Sequence, residues 1–145
     1  MGVVSYASAM VMDETYKTIY VAGAVIIRGR KVFATQRGHG DYAGWWEFPG
    51  GKIEPGEDAA SALARELNEE LVADITVGRY FDTVEHDYPQ FHVSMQCFLC
   101  SLNSDGISLL EHSSAKWLGR EEINTVKWLG ADYPILEKLI REGII

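Results

Sequence analysis

Glu66 follows Arg65, and Glu69 and Glu70 stand three and four residues beyond it, at the end of an Ala/Leu-rich stretch that opens after Gly56. If that stretch is helical, each residue advances by about 100°, and the three carboxylates share one arc of the helix. Like charges so placed repel one another. Two arrangements relieve the repulsion. The arc is a solvated acidic face with Glu69 or Glu70 paired to a basic side chain, or a cation sits among the carboxylates. Carboxylate oxygens suit a hard ion such as Mg2+, which keeps several waters and binds substrate phosphates on its open sides. The chemistry this second arrangement supports is metal-assisted hydrolysis of a phosphate anhydride.

The elements that must position these residues can be read from pattern. Thr18 to Ile27 is rich in Val, Ile and Ala and predicts a buried strand. Gly29-Arg30 turns it into a second strand over Lys31 to Arg37, forming a hairpin. His39 to Gly44 is a polar loop, and Trp45-Trp46-Glu47-Phe48 is a short aromatic strand closed by Pro49-Gly50-Gly51. Asp58 to Leu71 is the first clear helix. Ile75 to His86 and Phe91 to Leu102 form a second hairpin about Asp87-Tyr-Pro-Gln90. Ala115 to Leu118 is a short strand, and a last helix runs from Pro134 to Glu142, with Gly143 as its stop. Strands mixed with two substantial helices indicate an α+β fold, or a mixed β-sheet between helices. The lack of regular βαβ alternation argues against a doubly wound sheet.

At 145 residues the chain has the length of one domain. Residues 18–145 are assigned to it, with residues 1–17 as an N-terminal extension. The net charge of -8, with no Lys/Arg-rich run, excludes long nucleic acid as a natural partner but not a small nucleotide. No apolar stretch approaches the roughly 20 residues that span a bilayer. The N-terminus lacks a basic region of the signal-peptide kind. Cys97 and Cys100 fall three apart in an expected strand, where their side chains point to opposite faces. They are expected as core cysteines of a cytoplasmic protein rather than as a redox pair. His39, His86, His92 and His112 show no metal-ligand spacing and are expected in surface or strand packing.

Gly51, Glu57, Arg65, Glu66, Leu67, Glu69 and Glu70 together resemble the Nudix box, the signature of the Nudix (MutT-type) hydrolases. One position departs: the late glycine of that pattern is Val72 here, followed by Ala73. The likeness continues in Trp46-Glu-Phe-Pro-Gly-Gly-Lys52, Glu85-His-Asp-Tyr-Pro89, Glu111 ahead of Trp117, and Ala131-Asp-Tyr-Pro134, and covers roughly residues 18 to 140. The segments outside the box resemble CTP pyrophosphohydrolases and 8-oxo-dGTP-cleaving members most. The resemblance implies the Nudix fold, a mixed β-sheet sandwiched between α-helices, in a monomer or homodimer. It also implies a Mg2+- or Mn2+-dependent pyrophosphohydrolase that sanitises nucleotide pools. Such an enzyme converts a CTP/dCTP-type or oxidised purine triphosphate to the monophosphate and pyrophosphate. A dinucleoside polyphosphate, a nucleotide sugar and a non-catalytic nucleotide-binding role are the alternatives.

The same resemblance assigns roles. Glu66, Glu69, Glu70 and the carbonyl of Gly50 would ligate the metal, joined by Glu111, which competes with Glu70 as general base. Arg65 and Glu57 would hold the catalytic loop and orient a glutamate rather than touch substrate. Arg37 and Lys52 are candidate phosphate contacts. Asp132 is placed to read the base edge, either as a carboxylate accepting from a cytosine amino group or as an acid donating to an oxidised purine. Its bland alternative is a helix N-cap. One of Trp45, Trp46, Phe48 and Tyr88 is expected to stack on the base, with Tyr88 carried as the substrate-binding candidate.

Overall fold

The computed structural model describes residues 16–109 and 114–145. Strands β1 (Thr18–Arg28) and β2 (Lys31–Gln36) form the expected hairpin, with Ile27 facing Val32. Gly29 and Arg30 both take positive φ, 58° and 61°, as a two-residue hairpin loop requires. Two short strands follow, β3 (Trp46–Glu47) against β2 and β4 (Gly50–Lys52) against β1. Helix α1 spans Ala59–Glu70 and runs into β5 (Leu71–Val72). The long strands β6 (Ile75–Asp87) and β7 (His92–Leu102) make an antiparallel hairpin. β7 in turn lies parallel to β1 along nearly its whole length, from Thr18 beside His92 to Ile27 beside Ser101. β8 (Ser108–Leu109) pairs with β5, and β9 (Ser114–Leu118) pairs with β2. After two 3-10 turns, Arg120–Thr125 and Gly130–Asp132, helix α2 (Tyr133–Arg141) ends the chain's regular structure.

Among the described residues this makes one mixed sheet of seven strands plus the small β5–β8 pair. Both faces of the sheet are covered, which is why β1 reads as a continuous apolar run rather than an alternating one. On one face Ala22, Ala24, Ile26 and Phe33 meet Leu63 and Leu67 of α1. On the other Val25, Val32 and Ala34 meet Ile135, Leu136 and Leu139 of α2, together with the fully buried Trp128. The mixed β-sheet between helices expected from sequence is therefore the observed fold. Cys97 belongs to the second layer and Cys100 to the first, so the two thiols do lie on opposite faces. Among the described residues no helix is long and apolar enough to cross a membrane.

Helix α1 is one residue shorter at each end than its pattern suggested. Asp58 is its N-cap, accepting from the Ser61 N–H at 2.8 Å. At the other end Leu71 is already extended, with φ -123° and ψ 141°, and the chain enters β5 directly. That exit accounts for Val72. The only described non-glycine residues with positive φ are Arg30 and Tyr42, so position 72 does not need glycine's freedom. A β-branched residue suits a strand there. The pairing of β5 with β8 was not expected from sequence, since neither dipeptide is long enough to show a period. Replacing Val72 by glycine should therefore lower stability, by about 0.5–1 kcal/mol, through the backbone entropy glycine loses on ordering. A thermal melt in which Val72→Gly rose instead would show that the turn wants the freedom that valine lacks.

Candidate active site

The loop Phe48 to Lys52 enters beneath α1 by pairing with β1. Gly23 faces Gly50, and the Ala24 N–H donates to the Pro49 carbonyl at 2.8 Å. The approach leaves no room for side chains. A Cβ on Gly50 would lie 2.0 Å from the Ala22 carbonyl oxygen, and one on Gly51 would lie 2.3–2.6 Å from the carboxylate of Glu66. Gly50 is thus required by contact with backbone, whereas a side chain at Gly51 would have to displace the Glu66 carboxylate. Gly51 in particular leaves a hollow that the Glu66 carboxylate fills.

Arg65 ties this loop to the helix. Its Nε and one terminal nitrogen donate to the two oxygens of Glu57, each at 2.9 Å, and the same nitrogen reaches the Lys52 carbonyl at 3.2 Å. Its other nitrogen donates to Glu66 at 3.1 Å and to Glu69 at 3.5 Å. Glu57 also accepts from the Glu54 N–H, and these bonds, that to Arg65 foremost, hold its pKa below the usual carboxylate value. Glu66 is pushed the other way. Burial raises its pKa, with Arg65 opposing, and the Glu69 and Glu54 charges add to the rise. Glu69 has 59% of its side chain exposed and combines the helical arc with the basic partner that the alternative reading foresaw. Among the described residues no three carboxylate, imidazole or thiolate groups converge as a ready-made metal site. Arg65 stands between Glu66 and Glu69 instead. The donor set still fits a hard cation chemically, being all oxygen, with the Glu66 carboxylate seated in the hollow over Gly51.

A cavity of about 440 Å3 opens beside the loop, a volume suited to a nucleotide-sized ligand. Gly50, Gly51, Lys52 and Glu70 line it. Asp132, Glu47, Phe48, Tyr88 and Phe91 line it too, as do Arg37, His39 and Tyr42 from the loop after β2. The structure therefore brings Glu70, Gly50, Lys52, Arg37, Tyr88 and Asp132 to one cavity. Glu57, Arg65, Glu66 and Glu69 stand behind it on the helix side. Glu111 lies outside the described residues, as does His112.

Asp132 sits at the N-cap position of α2, but its side chain makes no capping hydrogen bond. It is turned inward and only 3% exposed. Burial pushes its pKa well above the usual carboxylate value, the nearby Glu47 charge pushes further, and the Phe48 N–H pulls back. Burial thus favours the neutral acid form of Asp132, and its Oδ2 has no partner among the described residues. Glu47, which the sequence did not single out, is the counterpart. It accepts from Arg37 at 3.1 Å. Arg37, expected to reach phosphate, is engaged here with Glu47 and with the Asp41 carbonyl at 3.1 Å. Tyr88 also has a second duty. Its hydroxyl accepts from the Ala131 N–H at 3.0 Å, next to Asp132, and burial pushes its pKa up to about 12. Of the other aromatics, Trp46 is in the core, Phe48 packs on Trp128, and Trp45 lies under the Lys127 ammonium at 4.0 Å. Glu47 was legible only as part of a short strand whose aromatic neighbours drew the attention.

Comparison with known proteins places this geometry among relatives. The family model described as the NUDIX domain matches residues 17–139. The CTP pyrophosphohydrolase of Escherichia coli is 35% identical over 134 residues, which cover 83% of this chain and 90% of that protein. The 8-oxo-dGTP diphosphatase of Proteus vulgaris is 42% identical over 89 residues, 61% of this chain and 80% of that one. Among solved structures, that of the E. coli ORF135 protein superposes with a TM-score of 0.72 at 33% identity, covering 88% of this chain and 92% of the other.

The protonation of Asp132 gives a testable sign. Its folded pKa lies above the ordinary 3.8, so at acid pH it costs nothing, and stability falls as pH rises from 3.8 towards the raised value. Asp132→Asn, which cannot ionise, should gain in melting temperature relative to wild type over that interval. A melting-temperature gap that stays flat with pH would mean that Asp132 ionises as an exposed carboxylate does.

Proposed function

The chain belongs to the NUDIX family of hydrolases acting on phosphorus anhydrides, and on that footing we propose that it converts a nucleoside triphosphate to the monophosphate and pyrophosphate. The observation that carries the reading is the single cavity lined at once by Gly50, Lys52 and Glu70 and by Asp132, Glu47 and Tyr88. The first group suits the phosphate chain, the second a base.

The base reading follows from two acids lining one cavity. Asp132, whose burial favours the neutral acid, can offer a donor, and Glu47, which accepts from Arg37, can offer an acceptor. A cytosine presents its ring N3 and amino group to such a pair. An oxidised guanine presents its O6 and N1–H. Either is excluded from water by the aromatic wall of Tyr88 and Phe91, whose ring centroids are 5.5 Å apart. The similarity to a CTP pyrophosphohydrolase and to an 8-oxo-dGTP diphosphatase supports the same two base classes.

On the phosphate side, Glu66, Glu69, Glu70 and the Gly50 carbonyl, with Glu111, would hold Mg2+ or Mn2+. Bound there, the ion supplies neutralisation of the pyrophosphate charge and acidifies water. The chain's own work is positional. Gly51 seats Glu66, Arg65 fixes the loop against the helix through Glu57 and the Lys52 carbonyl, and Lys52 faces the anionic substrate across the cavity wall. Glu70, already at the cavity, is the described candidate to take the proton of the attacking water.

Pyrophosphate release with Mg2+ should be measured against CTP, dCTP, 5-methyl-dCTP, 8-oxo-dGTP, dGTP, ADP-ribose and a diadenosine polyphosphate. One triphosphate should stand out, and Glu70→Gln should remove at least about a hundredfold of its turnover, the scale of a lost general base. Preference for ADP-ribose or the dinucleotide would move the assignment to another diphosphate, and inactivity of folded protein across the panel would leave only a binding role. Arg65→Lys keeps the charge but loses the fork that grips Glu57. It should cost about 10–100-fold in metal affinity or kcat, read by titrating Mg2+ against activity. Near-wild-type Mg2+ dependence in that variant would reduce the Arg65 cluster to surface ion pairing.

A further inference from the structure

His92 opens β7 between two carboxylates of β6. Its Nε2 lies 2.7 Å from Glu85 and its Nδ1 2.5 Å from Asp87, which is also its cross-strand partner in the sheet register. Ser94 donates to the other oxygen of Glu85 at 2.8 Å. A neutral imidazole carries one N–H and can donate to only one of these carboxylates, whereas the imidazolium donates to both. The segment leading into β1 packs on the same spot. The Tyr16 hydroxyl lies 3.3 Å from Asp87 and 3.1 Å from the Tyr88 carbonyl, and the Lys17 carbonyl accepts from the His92 N–H at 2.9 Å. His86 adds its influence on Asp87 from β6.

Residues 88–91 form the turn between these clasped strands, closed by the Tyr88 N–H on the Phe91 carbonyl at 2.9 Å. That turn puts Tyr88 and Phe91 into the cavity wall and presents Gln90 to the Tyr42 hydroxyl at 3.3 Å. We propose that His92 is a positioning residue whose doubly protonated ring straps β6 to β7 and so fixes the aromatic wall on which the base rests. This inference depends on the cavity being the nucleotide site.

The pH sense follows from the partners. Glu85 first, then Asp87, raise the His92 pKa above 6.5. The strap is complete below 6.5 and is lost as pH rises through the raised value. Each pair is partly exposed, so the effect on substrate affinity should be modest, roughly two- to fivefold.

The test has two arms. In the first, KM and kcat are measured from about pH 5.5 to pH 9 for wild type and His92→Gln. Taking the ratio of the two proteins cancels the titration of the substrate phosphates. The KM ratio should be roughly two- to fivefold at the acid end and fall to unity at the alkaline end, with the kcat ratio constant throughout. In the second arm, NMR of the wild-type protein without nucleotide follows His92 and the rings of Tyr88 and Phe91. The rings should shift with the His92 midpoint, and that midpoint should exceed 6.5. A pH-independent KM ratio, a His92 midpoint at or below 6.5, or ring signals indifferent to it would each overturn the strap. Rings that follow His92 in a protein that cleaves no nucleotide would uphold the strap and overturn the nucleotide reading instead.

Discussion

The approach of Gly50 and Gly51 to their neighbours is the constraint on which the site depends. Gly50 admits no Cβ against the Ala22 carbonyl, and Gly51 keeps open the space in which the Glu66 carboxylate lies. The loop can therefore lie flat in the sheet and still touch the helix above it. Because it does, a backbone carbonyl, a helix carboxylate and the cavity floor come within one small region. Arg65 then closes the arrangement from the helix side. Its fork holds Glu57 and the Lys52 carbonyl together, so the segment from Lys52 to Glu57 is pinned at both its ends.

The part of the cavity around Asp132 is built on a different principle, the removal of water. Burial first, and then the nearby Glu47, push the Asp132 pKa up, while Glu47 accepts from Arg37. The Tyr88 hydroxyl, accepting from the Ala131 N–H, secures the backbone immediately before Asp132.

What could be read from the chain followed how local each feature is. Covalent spacing puts Glu66, Glu69 and Glu70 on one helical arc, and alternation along a strand separates Cys97 from Cys100, so both were legible. The β1–β2 turn was too, since Gly29-Arg30 must adopt left-handed backbone. Other features depend on what the fold brings from afar. Asp132 occupies a capping position and yet turns away from it, and only the burial around it shows why. Arg37 lines the cavity as expected, but its pairing with Glu47 depends on the β2–β3 contact and carries no sequence signal. The strands β5 and β8 are two residues each and carry no period at all. His92 reads as an ordinary strand residue in sequence, because Glu85 and Asp87 meet it only across the register of the hairpin.

The parallel pairing of β1 with β7 joins residue 18 to residue 92, and residue 27 to residue 101. Closing a loop of that length yields no reward until the strands meet, so contacts of this kind slow folding. Everything in the cavity hangs on that closure. Gly50 is seated against β1, while Tyr88 and Phe91 come from the hairpin that β7 completes. The cavity therefore exists only where that long-range pairing is made, because its lining comes from both sides of it.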